Sequence, residues 1–113
     1  MNKRTVGSDT EERAVRFLQE NGYSLVMQNY RCKAGEIDII AFEGGELVFA
    51  EVKFRRTEKF GRPEEAVDAR KQMRIRKAAQ WYLMTQNLSP ETPVRFDVIA
   101  MDPWEIRIYR NAF

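Results

Sequence analysis

The sequence contains no histidine among its 113 residues, and this absence excludes several classes of enzyme. Ser-His-Asp and Cys-His hydrolases need an imidazole as general base, and common hydrolytic zinc sites need one as a metal ligand. Nucleases that hold their metal through histidine are excluded for the same reason. Chemistry in which carboxylate oxygens bind Mg²⁺ does not depend on histidine, so it remains open.

Cysteine and long apolar segments are also scarce. The single cysteine, Cys32, has no second thiol for an internal disulfide and no histidine for a zinc site, so we interpret it as structural or incidental. No apolar run approaches the roughly 20 residues of a membrane span. The first residues, Met1–Thr5, lack the apolar stretch of a secretory signal. We therefore expect a cytoplasmic protein that does not contact a membrane.

The residues that are present predict one compact domain over residues 1–113, because 43% of them are hydrophobic and the chain is long enough for a core. The net charge is only +2, but residues 53–77 hold ten Lys or Arg against four Asp or Glu, a local charge of +6. This basic segment is a candidate phosphate-binding surface. For any single member, a solvated helix face is an equally good interpretation.

Hydrophobic periodicity and turn residues predict an α/β domain with the element order αβββαββ. Ser8–Glu11 has capping-box spacing, so we expect the first helix over about Asp9–Asn21. Pro63 and the acidic pair Glu64-Glu65 suit a helix N-terminus, which predicts the second helix over about Glu64–Gln86. The predicted strands form a mixed five-stranded sheet flanked by these helices. They are Tyr23–Arg31, Ile37–Phe42, Leu47–Phe54, Val94–Met101 and Glu105–Arg110.

Gly44-Gly45 separates two of these strands and predicts a tight two-residue hairpin, which fixes the pairing of the residues on both sides. Counting back from the turn places Asp38 directly opposite Glu51, with Cβ atoms roughly 4.5 to 5.5 Å apart. Like charges in this position destabilise a sheet, so we expect a divalent cation to offset the repulsion. The same count places Glu36 opposite Lys53 on the same face.

Strand alternation predicts that one face of the hairpin is apolar and packs under a helix. Its expected members are Ile37, Ile39, Ala41, Val48, Ala50 and Val52. The other face is apolar near the turn and charged at its far end, where Glu36, Asp38, Glu51 and Lys53 gather. We interpret this charged end as a metal site. The alternative interpretation is a surface ion-pair network.

The helices offer further polar groups. Glu12 either forms a surface ion pair with Arg16, four residues later, or serves as an extra acid near the metal. Lys71 and Gln72 stand where the apolar stripe of the second helix would continue. Either the lysine stem extends to water, or this turn of the helix faces the charged cluster.

Gly35-Glu36-Ile37-Asp38, followed thirteen residues after Asp38 by Glu51-Val52-Lys53, resembles the PD-(D/E)XK motif of restriction-endonuclease-like nucleases. More narrowly, the chain resembles the YraN family of small bacterial proteins, which are similar to archaeal Holliday-junction resolvases. The resemblance also covers the glutamate of the first helix, Asn29-Tyr30-Arg31, Phe60-Gly61, Arg95-Phe96-Asp97-Val98 and Asn111-Ala112-Phe113. Ile37 stands where the motif has proline, which leaves the chemistry in place.

The resemblance implies a restriction-endonuclease-like fold and a metal-dependent nuclease. Asp38 and Glu51 would bind Mg²⁺ or Mn²⁺, and Lys53 would orient or activate the attacking water. Glu12 and Gln72 would be further catalytic residues. The basic residues expected to hold phosphates of the nucleic acid are Arg31, Arg55, Arg56, Lys59, Arg62 and Lys71.

The expected substrate is structured DNA, either branched or flapped. Because the domain has one charged cluster, cutting two strands would require a homodimer. Trp104, Tyr109 and Phe113 are candidate interface residues, with ordinary core packing as the alternative. Two other functions remain open at this point. One is a non-catalytic nucleic-acid-binding module with the same fold, and the other is a protein-interaction scaffold.

Overall fold

The computed structural model describes residues 6–55 and 67–113, with residues 6–8 described by their backbone alone. Its elements are α1 (Val6–Glu20), β1 (Ser24–Cys32), β2 (Gly35–Glu43), β3 (Glu46–Phe54), α2 (Ala69–Thr85), β4 (Val94–Met101) and β5 (Ile106–Tyr109). The predicted order αβββαββ is confirmed for this part of the chain, and each strand begins and ends within two residues of its predicted bounds. No helix in the described ranges is long and apolar enough to cross a membrane.

The five strands form one mixed sheet, in which they lie in the order β1-β2-β3-β4-β5. Neighbouring strands are antiparallel except for β3 and β4, which are parallel. Parallel neighbours need a crossover connection, and α2 lies in the segment that joins these two strands. The crossover brings the N-terminal end of α2 back to the C-terminal half of β3.

Each face of the sheet carries its own hydrophobic core. The core under α1 consists of Ala14, Leu18, Tyr23, Ile39, Ala41, Val48, Ala50, Ile99 and Met101. The core under α2 consists of Ile37, Ile40, Leu47, Phe49, Val67, Ile75, Ala78, Ala79, Tyr82, Phe96 and Val98. Cys32 is a free thiol that packs against the second core, which agrees with a structural role. Both hairpin faces are therefore covered, each by one helix.

The first helix begins earlier than predicted. α1 already includes Val6, so Ser8 lies inside the helix and the predicted capping box is wrong. Asp9 lies in the first turn, where its negative charge suits the positive end of the helix dipole.

The second helix begins later than predicted. Asp68 has an extended backbone, and its side chain accepts a hydrogen bond from the N–H of Lys71 at 2.8 Å, which makes it the N-cap. The predicted continuous helix from Glu64 is therefore wrong at Asp68, because this residue is extended and caps a helix that begins at Ala69. The predicted proline start at Pro63 lies outside the described residues.

The predicted hairpin register is confirmed from the Glu43–Glu46 pair at the turn to the Ile39–Ala50 pair. Gly44 and Gly45 have φ values of 62° and 79°, the left-handed backbone that this turn requires. The direct pairing predicted beyond Ile39 is wrong, because the paired residues of β2 and β3 end there.

Asp38 replaces a backbone pair with a side-chain contact. Its Oδ2 accepts a hydrogen bond from the N–H of Val52 at 2.8 Å. Next to it, Ile37 packs in the core under α2 while Ile39 packs in the core under α1. The prediction that these two isoleucines share a face is wrong, because the regular alternation of β2 is broken at Asp38.

The neighbouring strand shows a matching irregularity at Asn29. Gln28 pairs with Ile39 and Tyr30 with Ile37, so Asn29 lies level with Asp38. Asn29 has a φ of 54°, which only a few non-glycine residues adopt. We call this local distortion of β1 the Asn29 kink. It coincides with the change of face in β2.

Candidate metal centre

Two carboxylates meet where β2 and β3 part, one from Asp38 and one from Glu51. Glu51 is buried, with 6% of its surface exposed, and Asp38 is partly buried. Burial and the charge of Glu51 raise the pKa of Asp38 to about 7, and the hydrogen bond from Val52 offsets only part of this. The predicted meeting of Asp38 and Glu51 is thus observed, although the side chains rather than the backbones are paired.

The two oxygens of Glu51 have different surroundings. Oε2 forms an ion pair with Nζ of Lys71 at 3.1 Å. Oε1 is buried, and none of the described residues donates a hydrogen bond to it. A buried polar atom without a partner costs about 1–3 kcal/mol, and more when it is charged. Glu51 is therefore held in the site with one acceptor unsatisfied.

Lys71 supplies a positive charge from the first turn of α2. Its side chain is 45% exposed, against 7% for Glu51. Partial burial alone would lower the pKa of Lys71, but the hydrogen bond to Glu51 and the charges of Glu51 and Asp38 outweigh it and raise the pKa. Of the two α2 residues considered from the sequence, Lys71 is the one that contacts the carboxylates.

The donor set fits a hard divalent cation. Carboxylate oxygens suit Mg²⁺ and Mn²⁺, and Glu51 Oε1 is an oxygen that lacks any other described partner. Residues 9–55 and 67–113 contain no cluster of three or more His, Cys, Asp or Glu side chains arranged to hold a metal. The described residues thus offer two carboxylates, which would leave several coordination positions for water and substrate.

The predicted cluster of four charged residues is only partly assembled. Lys53 follows Glu51 by two residues on β3, so its side chain leaves the same face of the strand, and it is partly exposed. Glu36 does not pair with Lys53 as predicted, because the pairing of β2 with β3 ends at Ile39 and Ala50. On the other side of β2, Glu36 pairs with Arg31 of β1. Its carboxylate binds Nε of Arg31 at 3.0 Å in an exposed ion pair. Arg31, expected to hold phosphate, is thus engaged with Glu36.

Gln72 helps to define the start of α2. Its side-chain amide donates a hydrogen bond to the backbone oxygen of Val67 at 2.9 Å, and its N–H donates to the oxygen of Asp68 at 2.9 Å. Gln72 therefore holds the turn from which the neighbouring Lys71 reaches Glu51. This contact favours a positioning role for it.

Glu12 belongs to the α1 side of the sheet. It lines a surface groove together with Val15, Arg16, Gln19 and Gln28. Gln28 pairs with Ile39, the residue after Asp38, whereas Glu51 is bound by Lys71 of α2, on the other face of the sheet.

The remaining predicted binding residues follow β3. Arg55 is partly exposed, and its N–H donates to the backbone oxygen of Met101 at 2.8 Å, which ties the end of β3 to β4. Arg56, Lys59 and Arg62 lie outside the described residues.

The candidate interface residues divide into two groups. Trp104 is 71% exposed. Tyr109 and Phe113 pack against the core under α2, and the ring of Phe113 stacks on Phe96 with centroids 5.3 Å apart. Core packing, the alternative for these residues, is therefore correct for Tyr109 and Phe113.

A second charged cluster, which was not predicted from the sequence, surrounds Arg95 on β4. Arg95 binds Asp97 through Nε and Nη2, each at 2.9 Å, and it binds Glu43 at 2.7 Å and Glu46 at 3.1 Å. The hydroxyl of Tyr23 donates to Asp97 at 2.8 Å. We call these five residues the Arg95 cluster. A signal was present, because Arg95 and Asp97 are charged residues two apart in an otherwise apolar strand.

Each of the three carboxylates in the Arg95 cluster accepts a hydrogen bond from Arg95. Asp97 has no exposed surface, and it also accepts a hydrogen bond from the N–H of Asn111 at 2.9 Å. The hydrogen bonds of Arg95 to Asp97 raise the pKa of Arg95, and the hydrogen bond from Arg95 lowers the pKa of Glu43. Burial and the bond to Asp97 raise the pKa of Tyr23. These pKa shifts favour a charged Arg95, an ionised Glu43 and a neutral Tyr23.

Known sequences include clear matches to this chain. A sequence profile described as "Uncharacterised protein family UPF0102" matches residues 10–101, a range that includes both charged clusters. A UPF0102 protein of Lachnoclostridium phytofermentans is 49% identical over 113 residues, covering 100% of this chain and 96% of the relative. One of Caldicellulosiruptor saccharolyticus is 42% identical over 119 residues, covering 100% of both. One of Syntrophus aciditrophicus is 46% identical over 107 residues, covering 91% and 84%.

Proposed function

We propose that this chain, which belongs to the UPF0102 family, is a metal-dependent nuclease that hydrolyses phosphodiester bonds in structured DNA, branched or flapped. The proposal includes a restriction-endonuclease-like fold and a likeness to archaeal Holliday-junction resolvases. It is supported by a mixed sheet with one helix on each face and by acidic and basic side chains where β2 and β3 part.

The observation that carries this proposal is the unpartnered Oε1 of Glu51 beside the carboxylate of Asp38. Two adjacent carboxylates repel each other, and a structural ion-pair network would satisfy both with donors. Here Lys71 binds Glu51 Oε2 and the N–H of Val52 donates to Asp38, but no described donor reaches Glu51 Oε1, which favours a site completed by a ligand cation. The protein-interaction scaffold predicts no such acceptor.

Asp38 and Glu51 would hold Mg²⁺ or Mn²⁺ through their oxygens. A cation bound there would neutralise charge that develops on the phosphate and lower the pKa of a bound water. Lys53, on the same face of β3, would orient the attacking water and stabilise negative charge on the reacting phosphate. Lys71 would contribute a second positive charge from α2. The basic residues that follow β3 would hold flanking phosphates and position the strand.

Cation binding is tested by thermal melting with Mn²⁺ or with a chelator. We expect Mn²⁺ to raise the melting temperature, since a ligand at 100 times its dissociation constant stabilises the folded state by about 2.7 kcal/mol. An Asp38→Asn, Glu51→Gln double variant should lose this shift. Glu105→Gln is a matched control, because it removes an exposed acid paired with Arg107 and should keep the shift. An equal shift in the double variant would refute the metal site.

Catalysis is tested on junction, flap, single-stranded and duplex DNA with Mg²⁺ or Mn²⁺, and on the matching RNA substrates. We expect wild type to cleave a branched or flapped DNA. Lys53→Ala should reduce cleavage by about 10²-fold or more while leaving binding nearly intact, because it acts on the reacting phosphate. If purified wild type binds these substrates and cleaves none, the non-catalytic nucleic-acid-binding module replaces the nuclease.

A homodimer would allow both strands of a branched substrate to be cut, and twofold dimers are the commonest oligomers. Trp104 is the one predicted interface residue that the structure leaves widely exposed. Sedimentation at micromolar concentration measures the assembly state. A strict monomer that still cleaves would limit the activity to nicking at flaps or ends.

A further inference from the structure

The exposed side of α2 is strongly basic. Ala69–Thr85 contains five Lys or Arg and no Asp or Glu. Arg70, Arg74, Lys77 and Trp81 follow one another at spacings of four, three and four residues, so they form one row along the helix. All four residues are exposed, on a different face of the helix from the buried residues Ile75, Ala78, Ala79 and Tyr82. We call this row the α2 stripe.

Trp81 stands in a groove at the far end of the α2 stripe. The open groove has a volume of about 560 Å³ and is lined by Lys33, Ala34, Lys77, Gln80, Trp81 and Met84. The β1–β2 turn forms its other wall because Gly35 lies against the helix. A Cβ on Gly35 would lie 3.4 Å from the Cβ of Arg74. This close approach brings Lys33 to the same groove as Lys77.

The residues that line the groove favour single-stranded nucleic acid as its ligand. Trp81 is 39% exposed, and Lys33 and Lys77 line the same groove. Single-stranded nucleic acid is bound by this combination, in which an aromatic ring stacks on a base and cations contact the flanking phosphates. A base in a duplex is already stacked on both sides, so its ring face does not reach an exposed indole.

The α2 stripe also points from the groove to the carboxylates. Arg70 lies at the opposite end of the row from Trp81, next to Lys71, whose Nζ binds Glu51. The helix rise places Arg70 and Trp81 about 17 Å apart, which is the length of about five stacked nucleotides at 3.4 Å each.

We propose that the α2 stripe binds a single-stranded segment of the substrate, with Trp81 stacked on an unpaired base and Arg70, Arg74 and Lys77 on phosphates. The route of this segment towards Asp38 and Glu51 rests on the proposed nuclease function. The inference narrows the substrate class to nucleic acids that carry an unpaired arm, such as flaps or single-stranded ends. A fully paired four-way junction offers no such arm.

The test measures binding in the presence of chelator, so that no cleavage occurs. Fluorescence anisotropy is recorded with labelled oligothymidine and with a labelled blunt duplex. Trp81→Ala should weaken binding of oligothymidine by about tenfold, within the range for loss of one stacked base, and change duplex binding by less than about twofold. Trp81→Phe should restore most of the affinity, because a phenyl ring still stacks.

The matched control is Trp104→Ala, which removes the other tryptophan from the turn after β4 and should leave both affinities unchanged. In a Trp104→Phe background, oligothymidine should quench the fluorescence of the remaining Trp81. Lys33→Ala and Lys77→Ala should each flatten the salt dependence by about 0.7 in log–log slope.

Three results would overturn the inference. These are an unchanged affinity of Trp81→Ala for oligothymidine, an equal loss for single strand and duplex, and an acidic polypeptide that binds the groove as tightly as the oligonucleotide. The same experiments distinguish this inference from the proposed nuclease activity. Binding through Trp81 without any cleavage supports the α2 stripe alone, and cleavage that is indifferent to Trp81→Ala supports the nuclease alone.

Discussion

At each end of the β2–β3 hairpin two carboxylates from adjacent strands lie close together. Beside the turn, Glu43 and Glu46 both bind Arg95, at 2.7 and 3.1 Å. At the far end, the half-exposed Lys71 binds Glu51, the N–H of Val52 donates to Asp38, and Glu51 Oε1 has no partner among the described residues. Each acid of the first pair accepts a hydrogen bond from the fold itself, although Arg95 and Arg110 balance only part of the charge of Glu43, Glu46 and Asp97. The second pair is left with capacity for a ligand, and this difference separates a structural cluster from a candidate site.

The largest expected effect on stability comes from removing Arg95, the cation beside the hairpin turn. Arg95→Met should lower the free energy of unfolding by about 3–5 kcal/mol, because it leaves buried Asp97 and its neighbours without a counter-charge. Chemical denaturation of the metal-free protein measures this loss. A loss below about 1 kcal/mol would show that the Arg95 cluster does not hold the fold.

Arg110→Met is the matched control. Arg110 also binds Glu43, at 3.4 Å, but its side chain is 46% exposed. Exposed pairs typically contribute below about 1 kcal/mol, so this variant should unfold almost as wild type does.

The next effect is a pH dependence of opposite sign at the two ends. Burial and Glu51 raise the pKa of Asp38 to about 7, so the stability that its proton provides is complete in acid and is lost as the pH rises through 7. The pKa of Glu43 is lowered by its bond from Arg95, so its contribution is lost as the pH falls below the ordinary carboxylate range. Between pH 5 and 8, only the Asp38 end should change.

We therefore expect the metal-free protein to lose about 2 kcal/mol of unfolding free energy from pH 5 to pH 8, below the roughly 4 kcal/mol of a full three-unit shift. Denaturation in chelator at both pH values measures it. Asp38→Asn should remove this slope and raise stability at pH 8. Glu43→Gln should keep the slope and lower stability. A wild-type protein that is more stable at pH 8 than at pH 5 would contradict the comparison.

The smallest effect concerns Lys71, which binds Glu51 at the far end of the hairpin. Lys71→Met should lower the stability of the metal-free protein by about 1 kcal/mol, because it removes the described donor to the buried carboxylate of Glu51. The same change should tighten Mg²⁺ binding, since Lys71 competes for Glu51. Titration of the melting temperature with Mg²⁺ measures both. Lys77→Met, on the same helix but outside the pair, should change neither.

The sequence predicted those features that depend on neighbours along the chain. Gly44-Gly45 set the hairpin register, and the apolar alternation of Val94–Met101 set a strand with those same bounds. The meeting of Asp38 and Glu51 followed from the same register. These predictions succeeded because the turn type and side-chain period are local properties.

The predictions that were wrong concern contacts between residues that the neighbouring sequence does not indicate. Asp38 takes the N–H of Val52, fourteen residues away, and this contact replaces the expected backbone pair. Asp68, with its extended backbone, is the N-cap of α2 and interrupts the helix that was predicted to run through it. Arg95 meets Glu43 and Glu46 across 52 and 49 residues, so no window of sequence connects them.

The Asn29 kink has a consequence for association between chains. β1 is an edge strand, and it exposes Leu25, Val26 and Met27. A straight apolar edge of this kind would template the addition of a strand from another molecule. The register shift between Leu25 and Met27 and the left-handed backbone of Asn29 interrupt that edge at two places. The distortion beside Asp38 thus also protects the sheet against edge-to-edge aggregation.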